Sequence, residues 1–282
     1  MFEKNRRARI GSLTAKGGFL NEKAICDIFN DWKKSDLAKD WLIHMGYDLK
    51  KINEVIAIQI PTRISRKDSL KYRITDAEYD EATKFKKADA QIKIFIELGN
   101  VVKVENLSLK KANSDSNFNQ VDKRSVDTYQ KMWGFDNDLA HWLKLFTGQI
   151  LPKEEKSLIS SELREFNKRI YVDEFPKRMA SKLLDFLESK KILIVSDIIK
   201  GRGSLSADWI LVTKHDVNTL ENAWVLVDIN LAMNYFGNGE IKISPRGSIS
   251  IGKITMRRKG GTPDPTSLQF KINPCGLFDL EV

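Results

Sequence analysis

Apolar residues early in the chain recur at helical spacing. Ala24, Ile25, Ile28 and Phe29 mark one face of an amphipathic helix over 21–32, and Asn21 is placed to cap it. A second helix is predicted over 35–45, stopped by Gly46. A short apolar strand follows at 55–60 and ends at Pro61. The stretch 63–87 is dense in charge and turn residues and reads as an insertion or exposed excursion. Over 88–97 the period changes to two. Ile92, Ile94 and Ile96 face one way, while Asp89, Gln91, Lys93 and Phe95 face the other. Gly99-Asn100 is a hairpin turn signal, and 101–110 returns as the partner strand. On that strand Asn106, Ser108 and Lys110 share one face, and Leu107 and Leu109 the other. A hairpin therefore brings the Asp89 face to the Lys110 face.

Beyond the hairpin, residues 117–123 read as a polar loop carrying one aromatic, Phe118. Helices are expected over 126–133, 137–146, 156–168 and 176–190. The apolar run 192–199 reads as a buried strand, followed by strands at 209–214 and 223–227 and a short helix at 229–235. The last forty or so residues are strand-rich, at 241–244, 248–257 and 268–272. Within 248–257 the apolar phase shifts at Gly252, which predicts a bulge.

Composition narrows the class. The chain has 282 residues, 41% hydrophobic and 30% charged, which is globular and long enough for a real core. Its formal charge of +9 points to DNA or RNA as partner ahead of an anionic membrane surface. No stretch approaches the roughly eighteen apolar residues of a membrane span, and the amino terminus lacks the apolar core of a signal peptide. Cys26 and Cys275 lie at opposite ends without metal-ligand spacing, so buried thiols in a reducing cytoplasm are expected. His44, His141 and His215 form no cluster.

The chemistry lies in the hairpin. Taken separately, Asp89 is a strand-start cap and Lys110 a surface lysine. Together, on opposed strands, they can hold a hard cation through carboxylate oxygen and steady charge on a phosphate. Ser108 is a neutral neighbour, a poorer ligand than a carboxylate. Glu22 on the first helix is the candidate to supply the missing charge. Near the carboxy terminus, Arg246 in a Pro-Arg-Gly turn and Arg257-Arg258-Lys259-Gly260-Gly261 combine cations with glycines that admit a phosphate backbone. Gly201-Arg202-Gly203 lacks the spacing of a nucleotide-binding loop and reads as a turn or a DNA-touching loop.

The placing of Asp89 and Lys110 resembles nuclease cores of the PD-(D/E)xK kind. The stretch from Gly11 to Lys23 is similar to the start of the HinP-type type II restriction endonucleases, which cut GCGC. So are Asp40-Trp41-Leu42, Phe118-Asn119-Gln120-Val121-Asp122-Lys123, Gly201-Arg202-Gly203, Ser244-Pro245-Arg246-Gly247-Ser248-Ile249, Arg258-Lys259-Gly260-Gly261 and Leu268-Gln269-Phe270-Lys271-Ile272, in order along the chain. The charged stretch 63–87 is extra. The family's pattern is Ser-Asp, eighteen residues, Gln-x-Lys; here it is Ala88-Asp89, eighteen residues, Ser108-x-Lys110.

The resemblance implies a mixed α/β, restriction-endonuclease-like core with a mixed β-sheet flanked by helices, plus a strand-rich DNA-binding region. The expected segments are a nuclease core over 1–135, a helical region over 136–200 and a recognition region over 201–282, or one continuous unit. It implies a Mg²⁺-dependent enzyme that cuts both strands of a short, CG-containing site, GCGC- or CCGC-like, and leaves 5′-phosphate ends. Asp89, Ser108, Lys110 and Glu22 form the expected catalytic set, with Asp89 and Glu22 on the metal. Phe118, Asn119, Gln120, Lys123, Arg202, Arg246, Ser248, Arg258, Lys259 and Gln269 are the expected contacts to double-stranded DNA. A monomer or weak homodimer and a companion DNA methyltransferase acting on the same site complete the expectation. A non-catalytic DNA-binding protein and a nicking endonuclease are the alternatives.

Overall fold

A computed structural model describes residues 9–13, 22–61, 63–86, 91–113, 118–215, 222–259 and 266–280. The chain forms two compact units. One comprises Met1–Asn119, Ile199–Tyr235 and Asn273–Val282; the other comprises Gln120–Ile198 and Phe236–Ile272. The expected segments 1–135, 136–200 and 201–282 cut across these units, because the chain visits each more than once.

The first unit is built on a six-stranded sheet. Its strands are β1 (Arg9–Leu13), β2 (Glu54–Gln59), β3 (Gln91–Leu98), β4 (Val101–Asn113), β6 (Trp209–His215) and β7 (Asn222–Asp228), in the order β1-β7-β6-β4-β3-β2. The β4–β6 pair is parallel and the other pairs are antiparallel. The expected hairpin is present: β3 and β4 pair around Gly99, whose positive φ of 60° suits the turn. Helices α1 (Glu22–Asn30) and α2 (Asp36–His44) supply an apolar stripe to one sheet face. Ile25, Phe29, Trp41 and Leu42 pack there with Val55, Ala57, Leu107, Leu211, Trp224 and Leu226. Ser35 caps α2 by accepting from the Ala38 N–H at 3.2 Å. Asn30 bonds both the N–H (2.7 Å) and the carbonyl (3.1 Å) of Ala57, which covers part of the β2 edge. The thiol of Cys26 is pushed up to about 12 by burial, then by Asp27 and Glu22, so it is inert.

Residues 63–86 are not merely an exposed excursion. A 3₁₀ turn (Arg66–Tyr72) and α3 (Tyr79–Lys84) enclose a small core of Ile60, Ile64, Tyr72, Ile74, Ala82 and Leu205. Arg66 pairs with Asp76 and Asp80 and lies over the Tyr79 ring at 4.4 Å, so several of the charges answer one another locally.

The second unit holds a five-stranded sheet of β5 (Asn119–Ser125), β8 (Ile241–Ile243), β9 (Ile249–Ile251), β10 (Ile254–Arg258) and β11 (Ser267–Ile272), in the order β5-β11-β10-β9-β8. Helices α4 (Val126–Trp133), α5 (Asn137–Thr147), α6 (Lys177–Ser189) and α7 (Lys191–Ile199) accompany it, and α8 (Ile229–Gly237) leads from one unit into the other. Ser125 and Asp136 cap α4 and α5, and Gly134 and Gly148 close them in the left-handed conformation. Tyr129 stacks on Trp133 (4.5 Å), and both meet Phe270 edge-on, at 5.2 and 5.7 Å.

Four local expectations are corrected. The run 192–199 is helix α7, not a strand; Ile194, Val195, Ile198 and Ile199 are buried at helical spacing while Ile192 is 88% exposed. The expected helix at 156–168 is irregular, with one 3₁₀ turn at Ser160–Glu162, because Arg164 is committed to Asp173 and Glu174 in the next loop. The expected polar loop after Phe118 is instead strand β5, an edge strand whose polar residues hid its period. Gly252 makes a hairpin turn rather than a bulge. Ile251 and Ile254 pair directly, and a Cβ on Gly252 would meet three carbonyl oxygens at 2.7 Å.

Candidate active site and nucleic-acid interface

The register of β3 and β4 sets the candidate active site. Gln91 lies opposite Ser108 and Ile92 opposite Leu107. Leu107 is fully buried in the core beneath α1 and α2, so by alternation Asn106, Ser108 and Lys110 project from the other face of β4. Asn106 and Ser108 are buried, at 6% and 3% exposure, and Lys110 is half-buried. The parallel strand β6 backs this row, with Ile210 beside Ser108 and Val212 beside Lys110. Asp208 fastens the entry to it: its carboxylate accepts the Asn106 N–H at 2.8 Å, and its own N–H donates to the Asn106 carbonyl at 2.8 Å. Asp89 lies outside the described residues.

Glu22 does not share the Ser108 face. It opens α1, where it accepts a hydrogen bond from the Gln59 side chain. Gln59 pairs with Ile92 and so belongs to the Leu107 row. The helical face also carries Glu105, which accepts from the Tyr47 hydroxyl and, at 3.0 Å, from Trp209 Nε1. Burial, against the hydrogen bond from Tyr47, holds Glu105 above the usual carboxylate range.

The Ser108 face offers hard oxygen donors. The Asn106 Oδ1 is buried and has no hydrogen-bond partner among the described residues, and the Ser108 hydroxyl stands two residues on. These fit a divalent cation in kind, but neither is charged, and among the described residues no group of three His, Cys, Asp or Glu side chains forms.

The expected DNA-contacting residues divide between the units. In the first, Phe118 is 49% exposed, Asn119 donates to the Lys111 carbonyl at 2.5 Å, and Arg202 lies over the Phe85 ring at 4.7 Å. In the second, Lys123 is exposed on β5. Gln269 on β11 is only 6% exposed and donates to the Gln120 Oε1 at 2.5 Å. Arg246, Ser248, Arg258 and Lys259 come together around one concavity of about 740 Å³. Sequence reading missed its far wall, Arg164, Lys168, Arg169 and Tyr171, because that wall is an irregular loop whose residues converge only through tertiary contacts.

The arrangement of sheet and helices is that of a restriction endonuclease. The chain aligns with the crystal structure of restriction endonuclease MspI in complex with its cognate DNA at a TM-score of 0.55. The match covers 89% of this chain and 87% of that chain at 15% identity, a likeness that speaks for the fold. The family model of the R.HinP1I restriction endonuclease matches residues 80–278, and the chain belongs to that family of type II site-specific deoxyribonucleases. No curated protein sequence matches it significantly.

Proposed function

We propose that this enzyme hydrolyses both strands of double-stranded DNA at a short, G·C-rich, CG-containing site, with Mg²⁺, leaving 5′-phosphate ends. The observation that carries the reading is the Ser108–Lys110 row on β4, with Ser108 opposite Gln91, which follows Asp89 by two positions in the sequence, in a chain of this family. Asp89 would hold the metal, with the oxygens of Ser108 and Asn106 beside it. Mg²⁺, when bound, neutralises charge on the scissile phosphate and leaving oxygen. Lys110 orients the attacking water and offsets charge as it builds on the phosphate oxygens. Glu22, on the other face, steadies Gln59 and the end of β2 in this reading.

Base reading falls to Gln120, exposed enough to reach a groove and held by Gln269 behind it. Gln269 accordingly positions Gln120 instead of touching DNA itself. Phe118, with half its surface exposed, is the side chain to wedge between base steps. Asn119, Lys123, Arg202, Arg246, Ser248, Arg258 and Lys259 position the duplex. A monomer or weak homodimer, a bacterial cytoplasm and a methyltransferase protecting the same site fit this activity.

The test is incubation of the protein with unmethylated plasmid, with Mg²⁺ and with EDTA, followed by sequencing of the ends. Discrete Mg²⁺-dependent fragments sharing one terminal sequence are expected. Binding without cleavage under any divalent metal would overturn the reading.

A further inference from the structure

Residues 63–86 hold none of the side chains assigned to catalysis or to DNA, yet they are a built piece of structure. The Tyr79 hydroxyl donates to the Ile64 carbonyl at 2.6 Å, and Lys86 donates to the Pro61 carbonyl, so the start and the end of the segment are tied together. Its core is completed from a distant part of the chain. Leu205, fully buried, packs among Ile60, Ile64, Tyr72, Ile74 and Ala82. Gly203 lies against the backbone of α3. A Cβ there would come 3.6 Å from Ala82 Cα, at a φ of +70° that a side chain rarely adopts.

The same piece holds Arg202. Phe85 ends α3, where its N–H donates to the Glu81 carbonyl at 2.9 Å. The centre of its half-buried ring lies 4.7 Å from the Arg202 guanidinium carbon. Contact through the face of a guanidinium is compatible with N–H donation in its plane, toward a phosphate or a base edge. Beyond Arg202 the chain is fastened to β4. The Asn106 amide donates to the Ser204 carbonyl at 3.4 Å, and Asp208 accepts the Asn106 N–H at 2.8 Å. The Ala207 N–H closes the loop on the Lys200 carbonyl at 2.8 Å.

An unsupported arginine samples many rotamers and loses that freedom on binding; one already stacked has lost it beforehand. We propose that residues 63–86 form a bracket for the 201–205 loop, and that Phe85 is a positioning residue that holds Arg202 ready for duplex DNA. The proposal deepens the nuclease reading and rests on it for the placing of Arg202 at the duplex.

The experiment is a double-mutant cycle on the affinity of the full chain for duplex DNA, in EDTA. Phe85→Leu should weaken binding by about two- to tenfold, the worth of ordering one long side chain in advance. In an Arg202→Ala background the same change should cost nothing more. The cycle isolates Arg202 from Lys84, which reaches the same ring at 5.5 Å. Phe85→Tyr keeps the ring face and should bind as the wild type does. Equal losses in both backgrounds would mark Phe85 as a residue of the fold alone and overturn the proposal. So would full affinity of Phe85→Leu or of Arg202→Ala, or a Phe85→Tyr variant as weak as Phe85→Leu. Should Phe85→Leu not fold, Phe85→Met removes the ring, fills the gap with a flexible chain and carries the same cycle. The two readings fail separately: wild-type cleavage with no coupling sinks only this one, and coupling without cleavage by the wild type sinks only the nuclease reading.

Discussion

Two sites, one in each unit, treat their polar side chains in opposite ways. On β4 the hydroxyl of Ser108 and the amide of Asn106 are withdrawn from water, at 3% and 6% exposure, with Lys110 half-buried beside them. Around the concavity of the second unit, Lys168, Arg246 and Arg257 stand in solvent. Chemistry at a phosphate gains from groups fixed in a site of low dielectric, where a charge acts at full strength without rearranging. Holding a phosphate backbone gains from the reverse, since exposed cations lose little hydration and draw affinity from released counterions. In the reading proposed here, the difference separates the place where DNA is cut from the place where it is held.

The largest test of that division is Lys110→Ala. Cleavage should fall by about 10²–10⁴-fold, the range for removing a positioned proton-transfer or charge-stabilising group, and duplex affinity should stay put. Asp89→Ala is expected to behave alike. Single-turnover cleavage beside a gel-shift titration reads both, and equal loss of cleavage and affinity breaks the division. Next is Trp133→Phe, which removes the 2.9 Å bond to the buried Asp197 carboxylate. A drop in denaturation stability of about 1–3 kcal/mol is expected from a buried acceptor losing a donor. No drop would mean that the buried Asp197 carboxylate does not depend on the Trp133 donor.

How much of this was legible follows the same line. The hairpin could be read because alternation over 92–96, the Gly99 turn and the return strand agree with one another, and the observed register puts Gln91 across from Ser108 as that pattern requires. The Trp133 and Phe270 cluster was legible only as apolar residues, not as contacts. The concavity was half legible. Arg246, Arg258 and Lys259 lie in turn and strand-end motifs, whereas Arg164, Lys168 and Arg169 mimic a helix pattern that ion pairs and the Tyr171 stack override. Helix α7 misled for a plainer reason: a nearly unbroken apolar run carries no period, and only the burial of Ile194 and Ile198 one turn apart reveals it. Glu22 was placed correctly on its helix, but which sheet face that helix covers is a tertiary fact.

Gln120 and Gln269 sharpen the comparison, because the role proposed for them in the second unit involves no charge. Gln120→Ala should relax discrimination at one base step by about 1–3 kcal/mol, the worth of one good base contact. Gln269→Leu should do less, freeing the Gln120 amide to turn without deleting it. Cleavage rates on single-base variants of the site, compared between the two mutants, check the order. A larger effect at Gln269 would return it to direct contact with DNA.

The smallest expected effect concerns pH, and it belongs to the first unit. Glu105 is held above its usual carboxylate range by burial, partly opposed by donation from Tyr47 and Trp209 and reinforced by Asp208 and Asp228. The folded chain therefore keeps this proton to a higher pH than the unfolded chain does. Its contribution to stability is complete below the unfolded value near 4.5 and is lost as pH rises through the raised folded value. Glu105→Gln cannot titrate, so the difference in denaturation midpoint between wild type and variant should shift in favour of the variant across that window and level off above it. The same variant should leave the salt slope for duplex binding untouched, because that slope reports cations paired with phosphates and Glu105 is not one of them. A pH-independent difference would mean that Glu105 titrates alike in the folded and unfolded chain, with donation from Tyr47 and Trp209 offsetting the cost of burial. A changed salt slope would mean that the buried carboxylate and the exposed cations are not independent, and the division of labour between the units would lose its electrostatic basis.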